Sequence, residues 1–163
     1  MEIIYKDGNL LDAQTDVIAH QVNCQGVMGS GIAKQIKEKW PNVFKAYEEY
    51  LRLCDWDKPF YANSSALGKC LMVNILSNST KCIANLFGQQ SYGTDGKRYT
   101  NYDSIYNALT NLSVKMIDNG IKSVAFPYKM SSDRGGADWD VILAMIKSVF
   151  KDTDIIIEIW KLN

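Results

Sequence analysis

The sequence is short of the residues that carry much of metal, redox and acid–base chemistry. It contains one histidine, His20, and four cysteines, Cys24, Cys54, Cys70 and Cys82. No two cysteines form a CxxC pair, and no Cys/His group has zinc-ligand spacing, which argues against a zinc centre or a dithiol motif. Buried free thiols are the expectation. No apolar run approaches the roughly 18 residues that a membrane span requires, and the opening MEIIYKDGN does not read as a signal peptide. A cytoplasmic, reducing location is expected. An excess of one charge is also missing: Lys plus Arg and Asp plus Glu number 18 each. General electrostatic binding to nucleic acid or an anionic membrane is therefore not expected, and any anion must be held locally by backbone amides or a few placed side chains.

What is present fits one soluble domain over residues 1–163, with 47% hydrophobic and 22% charged residues. There is no repeat, low-complexity tract or Pro/Ser-rich linker. Strands are predicted over Glu2–Lys6, Asp16–Val22, Ser123–Phe126 and Asp154–Trp160. The continuous apolar runs Cys70–Leu76 and Cys82–Phe87 read as strands buried on both faces. Helices are predicted from the glycine cluster Gly26, Gly29, Gly31 to Trp40, over Val43–Leu53, over Tyr102–Asn119 with Gly120 closing it, and after Asp138 as cap. Strand–helix alternation in the second half implies an α/β fold with a largely parallel sheet and helices on both faces. Ligands of such sheets sit beyond the carboxyl ends of the strands, which singles out two loops.

The first loop, Asn23 to Ala33 (NCQGVMGSGIA), leaves a strand and enters a helix. Its glycines allow close backbone approach, and a helix N-terminus adds unsatisfied amides and a dipole that favours an anion. The spacing is neither GxGxxG nor that of a P-loop, since no Gly-Lys-Ser/Thr follows. The second loop, Pro127 to Trp139 (PYKMSSDRGGADW), also joins a strand to a helix.

The run from Asp16 to Ala33 resembles the strand and first ligand loop of macrodomains. The resemblance is closest to the branch of ADP-ribose-1″-phosphate phosphatases and ADP-ribosyl-glutamate hydrolases. Later elements match in order over nearly the whole chain. The resemblance implies a three-layer α/β/α macrodomain, with a mixed, largely parallel central sheet, that binds ADP-ribose or a derivative. It places Asn23 near the distal ribose and Gly29, Ser30, Gly31, Ile32 and Ala33 along the diphosphate and distal ribose. Asn9, followed by Leu10, stands where an aspartate commonly holds the adenine amino group, keeping an acceptor oxygen without the charge. The usual Gly-x-Gly of the phosphate loop is replaced by Ser131-Ser132-Asp133, followed by Arg134, Gly135 and Gly136. The serines can still donate to phosphate oxygens. Asp133 either points with Arg134 into solvent or faces the distal ribose as a base or orienting group.

Family members that remove ADP-ribose from glutamate use a lysine near Gln89 or Gln90 and an aspartate where Gly135 stands, so both departures argue against that covalent mechanism. Lys97 is a lysine that could reach in. Hydrolysis of the phosphomonoester of ADP-ribose-1″-phosphate is expected, with His20, Asn23 and Asp133 as catalytic candidates. His20 would serve near neutral pH as acid, base or nucleophile, or it is a strand histidine bonded to the backbone. The alternatives are an ADP-ribose reader without turnover and a hydrolase that removes ADP-ribose from modified protein or nucleic acid. No cofactor or metal and a monomeric state are expected.

Overall fold

In the computed structural model, which describes residues 1–162, Asn163, the last residue of the expected domain, lies outside the described residues. Six strands form one sheet: β1 (Glu2–Asp7), β2 (Val17–Val22), β3 (Cys70–Asn74), β4 (Cys82–Phe87), β5 (Ser123–Pro127) and β6 (Ile156–Lys161). Their order is β1-β6-β5-β2-β4-β3. The first five in that order run parallel, and only β3 pairs antiparallel, with β4. The expected mixed, largely parallel sheet is what forms. The run Cys82–Phe87 is buried at every residue, as its continuous apolar character requires. The run Cys70–Leu76 departs from expectation. Its strand ends at Asn74, with one further bond from the Ile75 amide to the Lys81 carbonyl at 3.0 Å; it lies at the sheet edge and is only half-buried over Leu71–Val73, because β4 is its only neighbouring strand.

Residue alternation along β2 builds the layers. Val17 and Ala19 face a core of Ile105, Leu109 and Leu112 from α3 (Tyr102–Asp118) and Ile142 and Ile146 from α4 (Trp139–Phe150). Ile18 faces the opposite way, onto Ile36 of α1 (Gly31–Lys39) and Val43 of α2 (Pro41–Asp55). Val22 continues that second face against Tyr47 and Leu51 of α2. Pro41 ends α1 and starts α2, since its missing N–H costs nothing at a first helical position. Asn101 caps α3 by accepting from the Ser104 amide at 2.9 Å, and Gly120 closes it at φ 65°. Asp138 caps α4, accepting from the Asp140 amide at 2.9 Å, as expected.

The parallel strands carry their following loops to one edge of the sheet. Gly8-Asn9 leaves β1, the glycine loop leaves β2, Gly88-Gln89 leaves β4 and Tyr128–Asp138 leaves β5. A short 3-10 turn, Leu10–Asp12, is capped by Asn9 beside them.

Candidate functional site

A groove lies across that edge. Its main part is a cavity of about 420 Å³ between Gly8, Asn9, Leu10 and Trp160 on one side, the start of α1 above, and the second loop opposite. A neighbouring cavity of about 290 Å³, lined by Asn23, Val27, Gly29 and Tyr92, continues it. Gln21, Ser30, Ala33, Gln89 and Arg134 line both. A third cavity of about 480 Å³, the shelf, adjoins Asp133 and Arg134 and is also bordered by Lys97 and Gly136.

Both loops bring unpaired amides to this groove. The N–H groups of Gly31, Ile32 and Ala33, at the first turn of α1, donate to nothing among the described residues. The same holds for the amides of Ser131, Asp133, Arg134 and Gly135 in the second loop. All seven residues line the main cavity. Two sets of unpaired amides on residues that line one groove, with a helix N-terminus on one side, suit a linear anion without any net protein charge. Gly31 has φ 59°, and a Cβ built there meets no atom within 4 Å. The glycine keeps the groove open as well as permitting the turn. Among the described residues, Lys129, Arg134 and Lys161 are the cations along the main cavity, against the carboxylate of Asp133.

The structure uses several predicted residues differently. Asn23 borders the second cavity, but its amide is drawn into its own loop. Its Nδ2 donates to the Val27 carbonyl at 2.9 Å, and its Oδ1 accepts from the Gln25 amide at 2.9 Å and the Tyr47 hydroxyl at 2.8 Å. Only one N–H remains for a ligand. Asn9 similarly gives its Oδ1 to the Leu11 amide at 2.9 Å. Ser131 donates its hydroxyl to Gln21 Oε1 at 2.6 Å, and the Ser132 hydroxyl turns to the Met130 carbonyl at 3.4 Å. The Ser131 hydroxyl is thus committed within the fold, leaving its backbone amide free, and the Ser132 hydroxyl makes only a long contact. Ser132 lines none of the three cavities, and Gly136 borders only the shelf.

His20 departs most from expectation. It is 2% exposed, on the face of β2 covered by α1 and α2. Its Nε2 lies 2.7 Å from Oδ1 of Asn85, its cross-strand partner on β4. Asn85 Nδ2 donates to the Leu71 carbonyl at 3.1 Å, so the amide must present oxygen to the imidazole. His20 therefore carries its proton on Nε2, leaving Nδ1 a lone-pair acceptor with no partner among the described residues. Burial pushes the imidazole down to about 4, the hydrogen bond to Asn85 opposing. His20 is among the residues lining the main cavity; neutral throughout the physiological range, it is not the general acid expected of it, and so low a value makes it a weak base. The reading as a strand histidine bonded to backbone is also corrected, since its partner is a side chain.

Asp133 and Arg134 are exposed and form no mutual ion pair among the described residues. Both nonetheless border the main cavity and the shelf. Lys97 borders only the shelf and pairs loosely with Asp95 at 3.8 Å. Gln90 serves the fold: its Oε1 accepts from the Ser64 amide at 2.8 Å. Gln89 lines both cavities, with Oε1 accepting from Gln21 at 2.7 Å and Nε2 donating to the Ser91 carbonyl at 2.7 Å. Trp139 packs edge-on against Tyr128, ring centroids 5.5 Å apart, as a packing residue.

Sequence reasoning missed Gln21, Thr100, Tyr128 and Trp160. Gln21 and Thr100 are joined by hydrogen bonds to residues far along the chain. Tyr128 and Trp160 become cavity walls only once β5 and β6 are adjacent. Glycines were the signal available: a Cβ at Gly88 would collide with the Gln21 amide, one at Gly135 with Thr100 and the Ser131 carbonyl, and one at Gly8 would press on the Trp160 ring.

The sequence profile described as Macro domain matches residues 19–146. The DNA ADP-ribosyl glycohydrolase of Mycobacterium tuberculosis is 30% identical over 159 residues, covering 95% of this chain and 41% of that protein. The ADP-ribose 1″-phosphate phosphatase of Saccharomyces cerevisiae is 33% identical over 107 residues, covering 64% of this chain and 54% of that one. The solved macrodomain of Mycobacterium tuberculosis DarG superposes with a TM-score of 0.80 at 29% identity, covering 97% of this chain and 96% of that one. The chain thus spans about two fifths of the first of these curated relatives.

Proposed function

The chain belongs to the Macro domain family, and on that premise we propose that its groove binds ADP-ribose and that the protein is a hydrolase of an ADP-ribose derivative. The observation that carries this reading is the pair of facing amide sets, Gly31–Ala33 and Ser131–Gly135, across a groove long enough to have two lobes. A diphosphate between them leaves the adenosine toward Asn9, Leu10 and Trp160, and the distal ribose toward Asn23, Gly29 and Tyr92. The free Nδ2 of Asn9 and the indole of Trp160 border the base end.

The reaction we assign is hydrolysis of the 1″-phosphate. Water attacks phosphorus, the ribose oxygen leaves and takes a proton, and inorganic phosphate departs. Loop amides and Arg134 stabilise charge on the phosphoryl oxygens, and Asp133 orients the water. Neutral His20 and the internally bonded Gln89 take no proton in this scheme. One feature favours a second reading, removal of ADP-ribose from a modified macromolecule: beyond Arg134 the groove opens onto the shelf rather than closing around a small phosphate. The glycohydrolase relative, similar over 95% of this chain, supports the same reading.

Phosphorus NMR of ADP-ribose-1″-phosphate tests the assignment. Inorganic phosphate should appear with the wild type and much more slowly with Asp133→Ala, while ADP-ribose affinity changes little. Turnover undiminished in Asp133→Ala would remove Asp133 from the reaction. Perturbed diphosphate signals without phosphate release would favour the second reading, to be tested next on an ADP-ribosylated oligonucleotide.

A further inference from the structure

We propose that Gln21 is a positioning residue that holds the second loop in a strained shape and thereby aims its free amides into the groove. This rests on reading the groove as an ADP-ribose site. Ser131 has φ 69°, in the left-handed region, although it carries a Cβ. That conformation costs roughly 1–2 kcal/mol in a non-glycine residue, so it persists only where neighbouring contacts over-determine it. The structure supplies them as a closed ring. The Ser131 hydroxyl donates to Gln21 Oε1 at 2.6 Å. Gln21 Nε2 donates to Thr100 Oγ1 at 2.8 Å, and that hydroxyl donates to the Ser131 carbonyl at 2.9 Å. The second hydrogen of Gln21 Nε2 goes to Gln89 at 2.7 Å. Donor and acceptor roles agree at every atom.

The backbone is shaped around this ring. Gly88 and Gly135 leave the space that the Gln21 amide and Thr100 fill. The Gly135 carbonyl in turn accepts from the amides of Tyr99 and Thr100, both at 2.9 Å, tying the second loop to the segment before α3. Gln21 borders both cavities but has no side-chain N–H left for a ligand, and its link to the second loop runs through Ser131 and Thr100. The Ser131 dihedrals determine where the Ser131 amide and those of Asp133 to Gly135 point. Glycine at position 131 would take φ 69° without a Cβ penalty and would not need the anchor.

The test titrates ADP-ribose calorimetrically into wild type, Gln21→Ala, Ser131→Ala, Ser131→Gly and the double variant Gln21→Ala/Ser131→Gly. Hydrogen exchange of the peptide covering 129–137 is followed in each. Gln21→Ala is expected to weaken binding about tenfold and to speed exchange in that peptide. Ser131→Ala, which keeps the Cβ but loses the hydroxyl without touching β2, should weaken it by a similar factor. Ser131→Gly and the double variant should bind within about threefold of wild type. Unchanged affinity in Gln21→Ala, or a double variant as weak as Gln21→Ala, would overturn the assignment. Should wild type itself fail to bind ADP-ribose, the proposed function falls. Exchange then judges Gln21 alone: unaltered protection of 129–137 in Gln21→Ala would refute the positioning role.

Discussion

His20 allows an unusually clean test because it is the only histidine in the chain. Its imidazole resonances need no assignment by elimination. The perturbation is pH. In the folded protein burial holds the imidazole down to about 4, whereas in the unfolded chain it titrates near ~6.5. Between those values the unfolded state binds the proton and the folded state does not, so stability is full above the unfolded value and falls as pH drops toward 4. With these two values, the loss between pH 7 and pH 5 is about 2 kcal/mol from this residue alone. Against a urea slope of ~1–3 kcal/mol/M, that moves the unfolding midpoint by on the order of 1 M. Carboxylates such as Asp154, held below the usual range by Lys122, also shift stability at low pH. The informative quantity is therefore the difference from His20→Gln, a variant that keeps a donor for Asn85 but cannot be protonated. Wild type should lose about 2 kcal/mol more than the variant over that interval. Carbon-13 and nitrogen-15 shifts should show one neutral Nε2–H tautomer down to pH 5. An imidazole midpoint near 6.5, or equal pH dependence in the two proteins, would refute the burial argument and restore His20 as an acid–base candidate.

Other expectations follow from the same geometry. Gly135→Ala places a Cβ against Thr100 and the Ser131 carbonyl; it should cost roughly 1–3 kcal/mol of stability, read as a lowered urea midpoint, and weaken ADP-ribose binding as well. Asn9→Asp keeps the cap on Leu11 and adds a charged acceptor at the base end, so ADP-ribose affinity should rise severalfold in calorimetry; a fall would show that the adenine does not lie there. Cys24 and Cys70 are buried with thiols pushed up to about 12, and neither should react with an aromatic disulfide reagent at neutral pH until the protein unfolds.

The elements were readable from the chain because their signals are local. Asn101 and Asp138 caps, Pro41, Gly120 and the run Cys82–Phe87 each announce themselves within a few residues. The edge position of β3 was not readable, since hydrophobicity cannot tell a strand with two neighbours from a strand with one. The loops were located correctly as segments, but their atoms were not. Whether the Ser131 hydroxyl is free depends on Gln21, 110 residues away. The state of His20 depends on Asn85, 65 residues away. Asn23 and Asn9 show a related difficulty: a short amide side chain in a turn is as well suited to bonding its own backbone as to meeting a ligand, and here both are occupied that way.

The central claim is that the two loops grip the diphosphate of ADP-ribose between them. Calorimetric titration of ADP-ribose into wild type and Gly31→Glu tests it most directly. Gly31 has φ 59° and open space where a side chain would go, so the variant should keep its fold at a cost of roughly 1–2 kcal/mol while placing a carboxylate in the anion's path. Saturable one-to-one binding by wild type, abolished in a folded Gly31→Glu, is the expected result. Equal affinity in the two proteins, or no binding by wild type, would contradict it.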